Sequence, residues 1–178
     1  MLSWWAEGPD AFSLNALCET VGLSKPGLYR EFGGDDGLMA AALARYQALR
    51  VTPLLGALES EVPFPQAVEG LVQWLTEKRE LPSGCLLARV RTSSRMHGPE
   101  TRARIDTMRD QQRDAFGAWV ARAQARGEAA PDVAPELAGI YVDTQLTTLL
   151  SLVSDGEDPE RVRAQARLAF SALLPPRH

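Results

Sequence analysis

Apolar residues recur at intervals of three and four along most of the chain, which predicts helices throughout and no strands. Residues 13–32 say more than that. Leu14, Leu17 and Val21 form one short apolar stripe, Leu28 and Phe32 another, and Val-Gly-Leu-Ser lies between them. One helix should end near Val21 and the next begin near Lys25, a helix-turn-helix pattern. Gly22 stands where a helix stop favours a left-handed backbone. Ser24 offers an N-cap hydroxyl, and Pro26 is tolerated in a first turn because the N–H it lacks would have no helical partner there. Steeply crossing helices want a small residue at their contact, and Cys18 supplies one. Before this stretch, Leu2, Trp4 and Trp5 read as the last turns of a helix ending at Gly8-Pro9.

Downstream, Leu38, Met39, Ala42, Leu43, Tyr46 and Leu49 predict a helix over 36–51. Pro53, Pro63 and Pro65 bracket a short helical piece over 54–60 and mark a transition. Val68, Leu71, Val72 and Leu75 predict a helix over 66–79, which Leu81-Pro82-Ser83-Gly84 breaks before Cys85-Leu86-Leu87 opens the next. Over 100–127, Ile105, Met108, Phe116, Trp119 and Ala123 make one stripe with Gln112 inside it. The span 135–154 is apolar over most of its circumference, so it must be covered on several sides. Asp155-Gly156-Glu157-Asp158-Pro159 is a turn carrying an N-cap, and 160–174 follows with Val162, Ala166, Ala169, Phe170 and Leu173 on one face. A domain this small would not bury both last helices alone. They are expected to pair with their copies in a two-fold homodimer, as a four-helix interface through 135–154 and 160–174.

Charge changes the picture locally. Residues 1–50 hold four basic side chains (Lys25, Arg30, Arg45, Arg50) against six acidic ones (Glu7, Asp10, Glu19, Glu31, Asp35, Asp36). Nucleic-acid affinity comes mostly from cations that replace counterions on phosphates, so any reader there must rely on a local cationic face. Residues 89–126 carry nine arginines against four acids. Their spacing, as in Asp106 with Arg109 and Asp110 with Arg113, makes them the solvated face of a helix laced by ion pairs. At 178 residues, with 45% hydrophobic and 24% charged side chains, the chain has the composition of a soluble globular protein. No run approaches the ~20 apolar residues of a membrane helix, and no basic start marks a signal peptide, which points to the cytoplasm. Cys18 and Cys85 lie far apart in helical patterns, so neither a disulfide nor a zinc site is expected. No Ser-His-acid order, Gly-rich phosphate loop or metal-ligand spacing is present, so neither enzyme activity nor a cofactor is expected.

The run FSLNALCETVGLSKPGLYREFGGDDGLMAAALARY resembles the DNA-binding domain of the tetracycline-repressor (TetR) family of bacterial transcription regulators. Ser13, Leu14, Leu17, Cys18, Gly22, Leu23, Ser24, Lys25, Leu28, Tyr29, Phe32, Gly33 and Leu38 carry the likeness; Leu-Tyr-x-x-Phe-Gly after Gly-x-Ser is its most specific part. The resemblance implies an all-α protein with an N-terminal three-helix helix-turn-helix domain, residues 1–48, and a C-terminal helical ligand-binding and dimerisation domain, residues 49–178. It also implies a longer first helix behind a basic arm, so that helix is expected to be truncated here. The implied function is a DNA-binding transcriptional regulator, a repressor, with operator binding relieved by a small-molecule effector. The other reading is a dimeric ligand-binding or adaptor protein of the same fold with weak or lost DNA binding.

Candidate DNA contacts are Ser13, Ser24, Lys25, Gly27, Tyr29 and Arg30. The apolar pattern leaves Lys25, Gly27, Tyr29 and Arg30 outside on the second helix, where Arg30 and Lys25 can pair with guanine acceptors. By resemblance, Tyr29 and Ser13 would give hydroxyls to phosphates. Two positions depart from the family pattern: Gly27 stands where a hydroxyl residue is common, and Asp35 where a lysine usually meets a phosphate. Asp35 and Asp36 are also good helix-start residues in their own right. The resemblance places Trp74, Met96, Met108, Trp119, Tyr141 and Gln145 on helices around an effector pocket.

Overall fold

In a computed structural model, residues 14–22, 24–77, 85–93 and 96–175 are described. Among them there is helix and no strand. In order the helices are α1 (Leu14–Val21), α2 (Lys25–Phe32), α3 (Asp35–Tyr46), α4 (Thr52–Ala57), α5 (Phe64–Thr76), α6 (Leu86–Thr92), α7 (Pro99–Ala125), α8 (Pro135–Ser154) and α9 (Pro159–Phe170). A π-helical stretch, Gln47–Val51, joins α3 to α4, and a 3-10 turn, Ser171–Leu173, ends α9. The break expected before Pro53 is absent. Pro53 instead falls in the first turn of α4, the one part of a helix where its missing N–H costs little.

The chain divides into two compact units. One contains residues up to Val51 together with Cys85–Arg109; the other contains Thr52–Gly84 and the residues from Asp110 on. In the first unit, α6 and the start of α7 pack with the helix-turn-helix. Three contacts explain it. The hydroxyl of Tyr46 donates to Cys85 Sγ at 3.5 Å, and that sulfur accepts the Ala88 N–H at 3.4 Å, capping α6. Burial, with the Cys85 sulfur beside it, pushes the Tyr46 phenol well above its ordinary value. Asp36 binds the first turn of α7, with its carboxylate accepting the Glu100 N–H at 2.9 Å and the Thr101 N–H at 3.1 Å. The core of this unit gathers Leu17, Leu28, Leu38, Leu43, Leu86, Val90 and Met108, all buried.

In the second unit, α5 buries Phe64, Val68, Leu71, Val72 and Leu75 against α8 and α9. Phe64 meets the Trp119 ring at a centroid distance of 4.6 Å, tilted by 53°. No side chain of its own caps α5. Glu128, 64 residues on, accepts the Phe64 N–H at 2.8 Å and so serves that helix start. Gln124 spans the α7–α8 turn by donating to the Ala130 and Val133 carbonyls, each at 2.7 Å. Arg113 donates to the buried Asp143 of α8 at 3.2 Å. This pairing spares a carboxylate the cost of being buried alone.

An exposed clamp ties α9 to α5, with Arg167 donating to Glu69 at 3.0 and 2.7 Å. Its hydrogen bonds from Arg167 and then Gln73 lower the Glu69 carboxyl from 4.5 to about 2. A depressed carboxyl gives stability that is present above 4.5 and fades as pH falls through about 2. Glu69→Gln should therefore flatten the acid limb of a stability-versus-pH curve in that window. Both partners are exposed, so the effect should stay below ~1 kcal/mol.

Candidate nucleic-acid interface

The helix-turn-helix is built by local chemistry that the sequence announces. Gly22 has φ 67° and Gly33 φ 74°, left-handed positions at the ends of α1 and α2 that side chains rarely adopt. Ser24, extended at φ −75° and ψ 153°, accepts the Gly27 N–H on Oγ at 3.2 Å and caps α2 as expected. At the other end the Gly33 N–H donates to the Tyr29 carbonyl at 2.8 Å. Leu17 and Leu28 turn inward at 7% and 3% exposure. Lys25, Pro26, Tyr29, Arg30 and Glu31 of α2 are left for solvent or a partner.

The structure leaves Ser24, Lys25, Tyr29 and Arg30 exposed and Gly27 half-buried. Ser13 and Leu23 lie outside the described residues. Lys25 and Tyr29 stand one turn apart, and the Lys25 ammonium sits 5.5 Å from the centre of the Tyr29 ring. Arg30, the next residue, points about 100° further round the helix. A Cβ at Gly27 would lie 3.3 Å from Ser24 Oγ, so the absence of a side chain there suits the cap. Tyr29, expected to give its hydroxyl to a phosphate, donates it to Asp35 Oδ1 at 3.1 Å. Asp35 and Asp36 stand in the first turn of α3, as expected of helix-start residues. The N-cap of α3 is Gly34, with no side-chain bond, while one carboxylate serves Tyr29 and the other α7.

The six candidate ligand residues have different fates. Trp74 lines an open groove of about 310 Å³ with Leu54, Leu58, Val62 and Leu71. Trp119, 3% exposed, is packed on Phe64, and Met108 is fully buried in the first unit. The Tyr141 hydroxyl donates to the Ala169 carbonyl at 2.8 Å and pins α8 to α9; Gln145 is half-buried. Met96 lies beyond the end of α6 in a non-helical link and is 97% exposed. Among the described residues no group of His, Cys, Asp or Glu could hold a metal, and no helix is long and apolar enough to cross a membrane.

The described residues are helical, with a capped helix-turn-helix in the first unit. No protein-family model matches the chain. The HTH-type transcriptional repressor BdcR of Escherichia coli K12 is 25% identical over 96 residues, a match that covers 54% of this chain and 49% of that protein. The chain thus aligns with about half the length of that curated relative. Whole-chain likeness comes from solved structures. A cysteine mutant of the TetR family transcriptional regulator CifR, complexed with 26-bp double-strand operator DNA, superposes with a TM-score of 0.77 at 26% identity, covering 96% of this chain and 90% of that one. A TetR family regulator from Agrobacterium tumefaciens shares the fold, with a TM-score of 0.80 at 13% identity over 97% and 93% of the two chains. In fold, the chain is similar to these TetR family regulators.

Proposed function

We propose that the protein is a DNA-binding transcriptional regulator, a repressor, that reads operator DNA through α2 of each subunit of a homodimer. The observation that carries this is the capped α2 with Lys25, Tyr29 and Arg30 exposed along it. A helix so presented can enter a major groove, its cations reaching phosphates and base edges. The solved CifR structure, which holds operator DNA, supports the reading by likeness. Retardation of DNA from around the protein's own gene in a low-salt mobility-shift assay is the expected result, and no shift with any promoter fragment would overturn it.

The dimer rests on Leu137, Ile140 and Leu168, which α8 and α9 leave 60%, 43% and 77% exposed. Large apolar side chains on two adjacent helices fit a four-helix contact with a second copy. Two-fold symmetry then sets a pair of recognition helices at the ~34 Å spacing of successive major grooves. Light scattering at micromolar concentration should give twice the mass of one chain; a monomeric mass would sink the dimer. A small-molecule effector in the C-terminal domain, with Trp74 at its groove, completes the reading by favouring a different separation of the two recognition helices.

One observation favours a second reading, an adaptor or ligand-binding dimer with weak DNA binding. Asp35 stands at the edge of the reading surface and holds the Tyr29 hydroxyl. The mobility-shift result separates the two.

A further inference from the structure

The turn after α2 joins two carboxylates with different partners. Asp36 accepts the Glu100 N–H at 2.9 Å and the Thr101 N–H at 3.1 Å, and its carbonyl accepts the Thr101 hydroxyl at 3.1 Å. Burial raises its carboxyl, yet the bonds from Thr101 and Glu100 and the charge of Arg102 prevail and hold it below 3.8. Three bonds to the first turn of α7 therefore fix where α3 begins. They also fix Asp35, the preceding residue, whose Oδ1 accepts the Tyr29 hydroxyl at 3.1 Å.

We infer that Asp35 is an affinity-setting residue that holds DNA binding down. The inference rests on the reading of α2 as the DNA-facing helix. A phenol has one proton to donate, so Tyr29 can serve Asp35 or a phosphate but not both. Any phosphate that approached this hydroxyl would also meet the Asp35 carboxylate, a like charge held within hydrogen-bond distance of the same oxygen. Both terms weaken binding. The second is screened by salt, with a Debye length of ~10 Å at 0.1 M, and so has its own signature. Lys25, 5.5 Å from the Tyr29 ring, offsets part of the repulsion but cannot return the hydroxyl.

Asp35→Asn keeps the shape and an acceptor while removing the charge. Its binding, and that of Tyr29→Phe and the double variant, can be measured by fluorescence anisotropy on a labelled duplex from upstream of the gene, with a generic duplex as second probe. Asp35→Asn should bind about five-fold more tightly than wild type at ~50 mM salt, with the gain shrinking at ~200 mM. Tyr29→Phe should weaken the Asp35→Asn protein more than it weakens wild type, because a neutral amide holds the hydroxyl less tightly than a carboxylate does. Thermal melts of each variant separate this from a structural role. A residue that only starts α3 would lower the melting temperature and leave affinity unchanged. Measurable wild-type binding with no gain in Asp35→Asn at either salt overturns the inference alone. No binding by any variant to either duplex overturns the reading of α2, and the inference with it.

Discussion

Gly139→Ala should destabilise the protein by ~3 kcal/mol, toward the upper end of what overpacking costs. A Cβ at Gly139 would lie 2.2 Å from the Arg113 carbonyl oxygen and 3.1 Å from the Gly117 nitrogen. Both are backbone atoms of α7, so no side chain can rotate away. Alanine is the better helix former by ~1 kcal/mol, and in open space that term would win. Here it is outweighed, because relief requires α8 to move off α7. That shift would also stretch the 3.2 Å contact between Arg113 and Asp143, exposing a carboxylate that burial has left dependent on one partner. Gly70, an exposed glycine of α5 with open space around its Cβ position, is the control. Gly70→Ala should stabilise by up to ~1 kcal/mol. Urea unfolding at one fixed protein concentration reads both changes as midpoint shifts with similar slopes. A Gly139→Ala midpoint equal to wild type would mean that α7 and α8 do not approach so closely.

What was legible in the sequence is what short-range chemistry decides. The stop at Gly22, the cap at Ser24 and the cap at Asp158, whose carboxylate accepts the Arg161 N–H at 3.0 Å, each need a partner within a turn. The residues that define them are therefore neighbours in the chain. The apolar run between Pro135 and the Asp155-Gly156 turn placed α8 over 135–154 for a similar reason, since starts and stops are local signals. The rest of the candidate site depends on partners that spacing cannot supply. Asp36 looked like a cap for its own helix, yet it serves a helix start 64 residues away. Arg113 meets Asp143 on α8, an acid 30 residues away that no helical spacing points to. Trp119 and Met108 had the size of pocket residues, but size alone does not separate a lining side chain from a core one. Met96 was read as part of a helix whose continuity past Thr92 no local signal guaranteed.

Replacing both Lys25 and Arg30 with alanine should weaken operator binding about 10- to 100-fold, a loss in keeping with ~1–3 kcal/mol for each good base contact. The fold should hardly notice. Both side chains are exposed, and neither belongs to the buried set around Leu17 and Leu28. Removing Lys25 even relieves a cation from the positive end of the α2 dipole, so the melting temperature should stay level or rise slightly. The single variants distinguish the two roles. Lys25→Ala, acting on phosphates, should weaken all sequences alike and reduce the salt slope by ~0.9. Arg30→Ala, acting on a base edge, should narrow the gap between operator and generic DNA. With a reading helix that bears two cations and an Asp35 carboxylate beside its tyrosine, no surplus of charge is available to mask either loss. Unaltered affinity in the double variant would therefore remove α2 from the interface and leave the ligand-binding or adaptor protein as the function of this fold.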